Sequence, residues 1–157
     1  SSLSMSQLLR LLPPENVLLD LEATSKKRVF ERVGLLFENN QGIARSTVFE
    51  ALFAREKLGS TGLGHGIAVP HGRIKGLKEA KGAFVRLASP VPFESPDGQP
   101  VSLLFVLLVP EHATDQHLQI LSELAELFSD RASRESLSVA TDADRVRQVF
   151  SSERMIA

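Results

Sequence analysis

The sequence predicts an α/β fold with a mixed parallel and antiparallel central sheet and helices on both faces. Helical patterns come first, strand-like segments follow between residues 67 and 110, and helical patterns return after residue 114. The segment VSLLFVLLVP (101–110) is apolar on both faces, which is typical of a central strand covered by helices on each side. Because the strands are grouped together, a regular βαβ repeat is not expected.

Two helices are predicted before the strands. In SKKRVFERVGLLFENNQG (25–42), apolar residues recur at helical spacing and the closing glycine ends the pattern. These residues are Val29, Phe30, Val33, Leu36 and Phe37. ARSTVFEALFAREKLG (44–59) repeats the pattern, with Ser46 or Thr47 as the expected N-cap and Gly59 as the stop.

Three strands are predicted in the middle of the chain. Residues 67–69 form a short buried strand that Pro70 ends, because proline cannot donate to a sheet ladder. GAFVRLA (82–88) alternates between apolar and other residues and predicts a half-covered strand. The third strand is 101–110, the predicted middle of the sheet, and the proline-rich stretch 89–100 before it predicts a hairpin or loop.

Two further helices are predicted after the central strand. TDQHLQILSELAELFSD (114–130) is expected to be capped by Thr114 or Asp115, and a last helix is expected to start at Thr141. The apolar residues of the first are Leu121, Leu124, Ala125 and Phe128, and those of the second are Val146, Val149 and Phe150.

Composition excludes several classes of function. Eighteen basic and nineteen acidic residues leave a formal net charge of −1, so electrostatic binding of nucleic acid is not expected. The absence of cysteine excludes disulfides, thiolate catalysis and cysteine-ligated zinc, and it suits a cytoplasmic protein. The longest apolar run, LLFVLLV (103–109), is too short for membrane insertion, and no signal peptide is expected. The serine-rich residues 1–6 are predicted to be disordered.

Two histidines are the strongest candidates for chemistry. His71 stands between a proline and a glycine at the exit of the short strand, where a side chain on a loop above a rigid sheet is placed for chemistry. His117 falls in the first turn of the helix after the central strand. If the strands ending at Val69 and Val109 are parallel neighbours, both imidazoles lie at one edge of the sheet, where open α/β sheets bind ligands.

A pair of imidazoles suits phosphoryl transfer. The attacking nitrogen must be unprotonated, and a second ring nearby disfavours protonation of both at once. The transition state is loose, so the protein mainly aligns groups and neutralises spread-out charge. Arg55, in the last turn of its helix, is the candidate cation, and the glycine-rich segment 59–66 can turn N–H groups toward an anion. That glycine pattern does not match a P-loop.

Two segments together resemble a known family. AREKLGSTGLGHGIAVPHGRI (54–74) and LLFVLLVPEHATDQHLQIL (103–121) are similar to the enzyme IIA domain of the bacterial phosphotransferase system, in the fructose and mannitol class, and in particular to its nitrogen-regulatory branch. The resemblance covers almost the whole chain. It implies that residues 1–157 form a single phosphocarrier domain, a mixed sheet flanked by helices.

The resemblance also implies roles for three residues. His71 matches the histidine that accepts a phosphoryl group from a histidine phosphocarrier protein, His117 matches a histidine that supports the group, and Arg55 matches an arginine that helps bind it. Regulated partners would include potassium transport systems and sensor kinases. No cofactor or metal is implied. No role is assigned to the remaining candidates, which are His65, His112 and Arg73.

Three alternatives stay open at this point. The protein could be a sugar-specific enzyme IIA that passes phosphate to an enzyme IIB, or an interaction module that no longer accepts phosphate. It could also be a metal-dependent hydrolase, although the spacing of the residues concerned fits no standard zinc pattern. The ligands would be His65, His71 and His117, with Glu111 or Asp115.

Overall fold

The structure is a computed structural model that describes residues 2–113 and 115–151, with residues 2–6 described by their backbone alone. These residues form one six-stranded sheet and six α-helices. The helices are α1 (Ser2–Leu11), α2 (Lys26–Gln41), α3 (Arg45–Glu56), α4 (Asp115–Ser129), α5 (Arg131–Val139) and α6 (Ala143–Ser151). The strands are β1 (Val17–Leu21), β2 (Gly62–Gly64), β3 (Ile67–Ala68), β4 (His71–Ile74), β5 (Lys81–Val91) and β6 (Val101–Pro110).

The sheet is mixed, which confirms the predicted fold class. Its order is β1-β5-β6-β3-β2, and β4 also pairs with β6. Strands β5 and β6 are antiparallel and form the predicted hairpin, whereas β3 and β4 both run parallel to β6. They follow one another along β6: Ile67 pairs with Leu103, and His71 pairs with Leu107. The parallel neighbours required by the sequence argument are therefore present.

The central strand β6 contributes to two hydrophobic cores, one on each face of the sheet. Leu104, Val106 and Leu108 belong to a core with α2 and α3, while Leu103, Phe105 and Leu107 belong to a core with α1, α4, α5 and α6. Successive strand residues point to opposite faces, so a strand covered on both sides must be apolar throughout. The prediction of β6 as the middle strand is confirmed.

Helix α2 matches its predicted ends, but the predicted cap of α3 is wrong. The Ser25 side chain accepts from the backbone N of Arg28 at 3.1 Å, and Gly42 ends α2 with a φ of 71°. At the start of α3, neither Ser46 nor Thr47 is the N-cap. The cap residue is Ala44, and the orphan N–H of Arg45 donates instead to the Glu38 carboxylate of α2 at 3.1 Å.

Several strand predictions also need correction. Val69 lies outside β3, and His71 is the first residue of β4 and not a loop residue beyond a strand. The 82–88 segment is covered on both faces, since Phe84 is buried in the core that contains α1 and α6 residues. Sequence periodicity had not predicted α1, β1, β2, β4 or α5.

The last helices agree with the sequence in outline. In α4 the buried residues are Ile120, Leu124, Leu127 and Phe128, whereas Ala125 is exposed. The candidate cap Thr114 lies outside the described residues. Helix α6 begins at Ala143, two residues after the expected start.

At the start of the chain, α1 begins at Ser2, within the segment 1–6 that was predicted to be disordered, and Ser1 lies outside the described residues. No helix of residues 2–113 and 115–151 combines the length and apolar character that crossing a membrane requires.

Candidate functional site

The His71 ring has one nitrogen bonded and one free for chemistry. Its Nδ1 lies 3.0 Å from the carbonyl oxygen of Val69. A carbonyl can only accept, so in the neutral ring Nδ1 carries the hydrogen and Nε2 holds the unshared electron pair. The backbone two residues upstream thus selects the tautomer in which Nε2 is unprotonated.

The surroundings of His71 keep the ring neutral. Burial of the half-buried ring is the main cause of a pKa below the ordinary histidine value of 6.5, and the charges of Arg55 and His117 also lower it. The hydrogen bond to Val69 and the carboxylate of Glu56 act in the opposite direction. The balance favours an unprotonated ring at neutral pH, as a nitrogen nucleophile requires.

A pocket of 320 Å³ lies against His71, and Arg55 lines it as well. We call it the His71 pocket; its other lining residues are Ser60, Thr61, Gly62, Leu63, Val69, Leu121, Ser122 and Ala125. Arg55 is half-buried, and its Nη1 donates to the carbonyl oxygen of Gly59 at 2.8 Å, across the turn that follows α3. The structure therefore brings together two of the three predicted site residues around one concave surface.

His117 is the third predicted site residue, in the first turn of α4. Its charge lowers the pKa of His71, so the two imidazoles are near enough to interact electrostatically. Its Nδ1 is buried, and among the described residues no hydrogen-bond partner reaches this atom. No hydrogen bond among these residues therefore fixes the tautomer of the His117 ring.

The unassigned candidates have identifiable contacts. Arg73 follows His71 in β4 and donates from Nη1 to the carbonyl oxygens of Glu111 at 2.7 Å and Ala113 at 3.1 Å. It therefore ties β4 to the connection that leads into α4, and so helps to position His117. His65 is exposed in a turn with a φ of 57°, and its backbone N–H donates to Asp97 at 2.9 Å. His112 is exposed beside Glu111.

Sequence reasoning missed a buried charged residue next to this site. Glu56 is 8% exposed at the last position of α3, and its carboxylate binds Lys26 and Thr61. A negative charge at a helix C-terminus is unfavourable, because the backbone carbonyls already make that end negative. That mismatch was the one signal in the sequence that could have marked Glu56.

The metal-hydrolase alternative gains no support from the geometry. Over residues 2–113 and 115–151, no group of three or more histidine, aspartate or glutamate side chains is arranged to hold a metal ion. His65, His71 and His117 therefore do not form a ligand set with Glu111 or Asp115 in this structure.

The fold and the site together define a class of protein. A neutral histidine with a free Nε2, near a guanidinium and a second imidazole at the edge of a mixed sheet, is suited to accept and hold a phosphoryl group. Residues 10–153 match the family described as phosphoenolpyruvate-dependent sugar phosphotransferase system, EIIA 2, and the chain belongs to this family. Its members are phosphotransferase components that carry phosphoryl groups.

Individual relatives show which branch of this family the chain resembles. A nitrogen regulatory protein from Pseudomonas aeruginosa is 42% identical over 146 residues, which cover 92% of this chain and 95% of that protein. The crystal structure of nitrogen regulatory protein IIA-Ntr from Neisseria meningitidis matches with a TM-score of 0.88 and 53% identity, covering 92% of this chain and 99% of that one. The fructose-specific EIIABC component of Bacillus subtilis is 33% identical over 141 residues, covering 89% of this chain and 22% of that protein. The resemblance to the nitrogen-regulatory branch is confirmed, and the sugar-specific proteins are a related branch.

Proposed function

We propose that this protein accepts a phosphoryl group on Nε2 of His71 from a histidine phosphocarrier protein in the cytoplasm, and regulates partner proteins through its phosphorylation state. The observation that carries the proposal is the hydrogen bond from His71 Nδ1 to the Val69 carbonyl, which leaves Nε2 as the bare nitrogen. Candidate regulated partners are potassium transport systems and sensor kinases.

The transfer step follows from this tautomer. Nε2 of His71 attacks phosphorus, the new N–P bond forms as the donor's N–P bond breaks, and the electron pair of the broken bond returns to the donor ring. No proton leaves His71, so its ring becomes positively charged while Nδ1–H stays bonded to Val69. Hydrogen bonds to an ionised group are stronger than neutral ones, so this bond gains strength as the phosphohistidine forms.

Arg55 and His117 supply the electrostatic part of the proposed mechanism. The transferred group carries its negative charge on three oxygens in a loose transition state, so catalysis rests on placed donors and cations. Arg55 lines the His71 pocket and is the proposed phosphate-binding cation. His117 is proposed to donate a hydrogen bond to the phosphoryl group from the nitrogen opposite its buried Nδ1.

Exposed leucines near the site support a protein as the phosphoryl donor. Leu58, Leu63 and Leu118 are 83%, 45% and 60% exposed. Leu63 lines the His71 pocket, Leu58 is three residues from Arg55, and Leu118 is next to His117. Apolar side chains exposed around a polar centre are typical of surfaces that bind another protein.

A phosphorelay assay tests the proposal. With phosphoenolpyruvate, the general enzyme and the histidine carrier, the protein should take up one acid-labile phosphoryl group. His71→Ala should abolish labelling, and His117→Ala and Arg55→Met should each slow it by roughly tenfold to a hundredfold, because each loses one hydrogen bond to a charged group, worth about 1.5–3 kcal/mol. His112→Ala, an exposed histidine, is the matched control and should label at the normal rate. Full labelling of a folded His71→Ala protein would refute the assignment.

A sugar-specific enzyme IIA is the second candidate function. The 33% identity to the fructose-specific component of Bacillus subtilis is the observation in its favour. The regulatory function is preferred because the nitrogen regulatory proteins are 42% and 53% identical to this chain. Incubating the labelled protein with a fructose-specific enzyme IIB separates the two, since only a sugar-specific protein should lose its label rapidly to that acceptor.

A further inference from the structure

Glu56 is a buried carboxylate that the proposed chemistry does not yet use. Its side chain is 4% exposed, and Oε2 lies 3.0 Å from the Lys26 ammonium. A buried ion pair is a weak source of stability, because desolvating both charges offsets most of their attraction. The position at the end of α3 adds repulsion from the helix carbonyls. Stability alone therefore gives a poor account of a charged residue at this position.

Hydrogen bonds connect Glu56 to the His71 ring through two intermediate residues. Thr61 donates to the Glu56 carboxylate twice, from its backbone N at 3.0 Å and from its hydroxyl at 2.6 Å. The carbonyl of Thr61 accepts from the backbone N of Val69 at 3.0 Å. The carbonyl of Val69 accepts from His71 Nδ1, also at 3.0 Å. We call these four residues the Glu56–His71 network.

We propose that Glu56 is a positioning residue for phosphoryl transfer, which holds the Val69 carbonyl in place through Thr61 and supplies a negative charge that stabilises the cationic phosphohistidine. The inference rests on the proposed function of His71 and extends it to a residue on the far side of the network from the reacting nitrogen.

The network transmits position more than electronic polarisation. At Thr61 and at Val69, the donating N–H and the accepting C=O belong to different peptide groups, so no single conjugated unit links Glu56 to the ring. Thr61 and Val69 are instead each fixed by hydrogen bonds to two partners. Thr61 bonds to Glu56 and to Val69, and Val69 bonds to Thr61 and to His71. Thr61 is also 5% exposed, so water does not readily replace its bonds.

The charge of Glu56 acts on His71 directly through space. The charged groups that act on the ring are Arg55 and Glu56 from α3 and His117 from α4. Burial, Arg55 and His117 lower the pKa of His71, while Glu56 raises it. When Nε2 gains a phosphoryl group the ring becomes cationic, and the same carboxylate then favours the product. Burial, Arg55 and His117 all disfavour a positive charge on the ring, and Glu56 offsets part of that free-energy cost.

The substitution Glu56→Gln removes the negative charge of this side chain while nearly preserving its size and shape. The amide keeps an oxygen that can accept from Thr61, but it removes the negative charge. The pKa of His71 should fall further below its ordinary value, measured by a ¹⁵N NMR titration of the unphosphorylated protein. The labelling rate in the phosphorelay assay should fall by roughly twofold to fivefold, the effect expected of one partly screened charge interaction.

Two further variants make the test specific. Glu50→Gln changes an exposed glutamate of the same helix and should leave both measurements unchanged. Thr61→Val keeps the charge of Glu56 but removes the hydroxyl link, so it should alter the Nδ1 chemical shift of His71 with a smaller effect on the pKa. If Glu56→Gln does not fold, Thr61→Val carries the test alone, and an unchanged Nδ1 shift would then overturn the proposal.

The outcomes distinguish this inference from the proposed function. If the wild-type protein is labelled and Glu56→Gln matches it in both labelling rate and His71 pKa, Glu56 has no positioning role. If the wild-type protein is not labelled at all, the proposed function fails. The comparison of His71 pKa between wild type, Glu56→Gln and Glu50→Gln then still decides whether Glu56 acts on the ring.

Discussion

His71 combines partial burial with a free nitrogen. The sequence predicts a ring on a loop beyond a strand, where a side chain is placed for chemistry. The structure has it half-buried as the first residue of β4, with Nδ1 bonded to Val69. Partial burial lowers the basicity of the ring, and the bond to Val69 selects the nitrogen that remains free. At the scale of single residues, the site therefore depends on a backbone carbonyl as well as on the side chains.

The lowered pKa of His71 predicts the pH dependence of labelling. Only the neutral ring can attack phosphorus, and a group with a lowered pKa stays neutral to a lower pH. The rate should therefore remain high as pH falls to about 6.5, the ordinary histidine value, and should decline only below it. Labelling rates measured between pH 5 and 8 with a fully phosphorylated donor check this, and a decline centred above 6.5 would contradict it.

The same shift predicts a small pH dependence of stability. Below pH 6.5 the unfolded chain binds a proton on this histidine more readily than the folded protein does, so the free energy of unfolding should fall as pH falls through this range. Well above pH 6.5, His71 is neutral in both the folded and the unfolded state, so it adds no further pH dependence to the free energy of unfolding. His71→Gln, which cannot take up the proton, should remove this part of the slope in urea unfolding measured at a series of pH values.

The predicted site residues and Glu56 show what residue-level reasoning can reach. His71, His117 and Arg55 were predicted from their positions in local patterns and from the family resemblance. Glu56 was not, because its role depends on Lys26, 30 residues away, and on a bond to Thr61 that exists only once the turn after α3 has closed. Local spacing carries no information about such a partner.

At the scale of elements, β4 lies very close to α3. A Cβ atom added at Gly72 would lie 2.9 Å from the Cβ of Ala51, 3.0 Å from its carbonyl carbon and 3.1 Å from its oxygen. Real Cβ atoms are essentially never nearer than 3.0 Å to such an atom, and the other two contacts are tighter than nine in ten real Cβ contacts. Those two are to helix backbone, which cannot rotate away. The missing side chain at Gly72 thus allows the helix that carries Arg55 to approach the strand that carries His71.

Gly72→Ala should therefore disturb both stability and the site. We expect a loss of about 1–3 kcal/mol in the free energy of unfolding from overpacking. The labelling rate should also fall, because β4 and α3 must move apart. Urea unfolding and the phosphorelay assay measure the two effects.

The double variant Ala51→Gly with Gly72→Ala provides the control. Ala51→Gly alone should cost about 1 kcal/mol as a helix-interior glycine. Because it removes one of the three close contacts, the double variant should be less destabilised than the sum of the two single variants. Strict additivity would contradict the proposed clash.

Elements with long periodic patterns were predicted, and most of the short ones were not. Helix α2 has five apolar residues at helical spacing and a capping serine, so its bounds follow from the sequence. Strands β2 and β4 have three and four residues, too few to establish a period. The two-residue β3 was predicted, but from its apolar residues and the proline that follows, and not from a period. Helix α3 begins where it does because Glu38 of α2 caps it, which no local pattern could indicate.

At the scale of the whole molecule, residues 2–113 and 115–151 contain two hydrophobic cores that share strands β5 and β6. Phe30 packs with Phe53 and Phe93 on one face of the sheet. Phe150 packs on the other face against Phe84, Phe105 and Phe128. Both cores include residues of β5 and β6, so neither can be lost without exposing the central strands. The chain should therefore unfold as one domain.

Phe30→Ala and Phe150→Ala test this cooperativity. Both rings are fully buried, and each truncation should cost about 3–5 kcal/mol. Each variant should lower the midpoint of one shared transition, as expected of a single domain. Calorimetry and residue-resolved NMR on thermal unfolding measure it. Two separate transitions, each shifted by only one of the variants, would show that the faces fold independently.

The sequence by itself determined the class of fold, the central strand and the longer helices, and it singled out His71 as the candidate phosphoryl acceptor, because each of these follows from local periodicity or from a contiguous motif. Only the tertiary structure decided the tautomer of His71, the cap of α3, the contact at Gly72 and the network from Glu56. Each of these depends on atoms that are distant in sequence or on backbone groups whose direction is set when the sheet forms. Such contacts form only when the elements pack together, so local sequence patterns do not predict them.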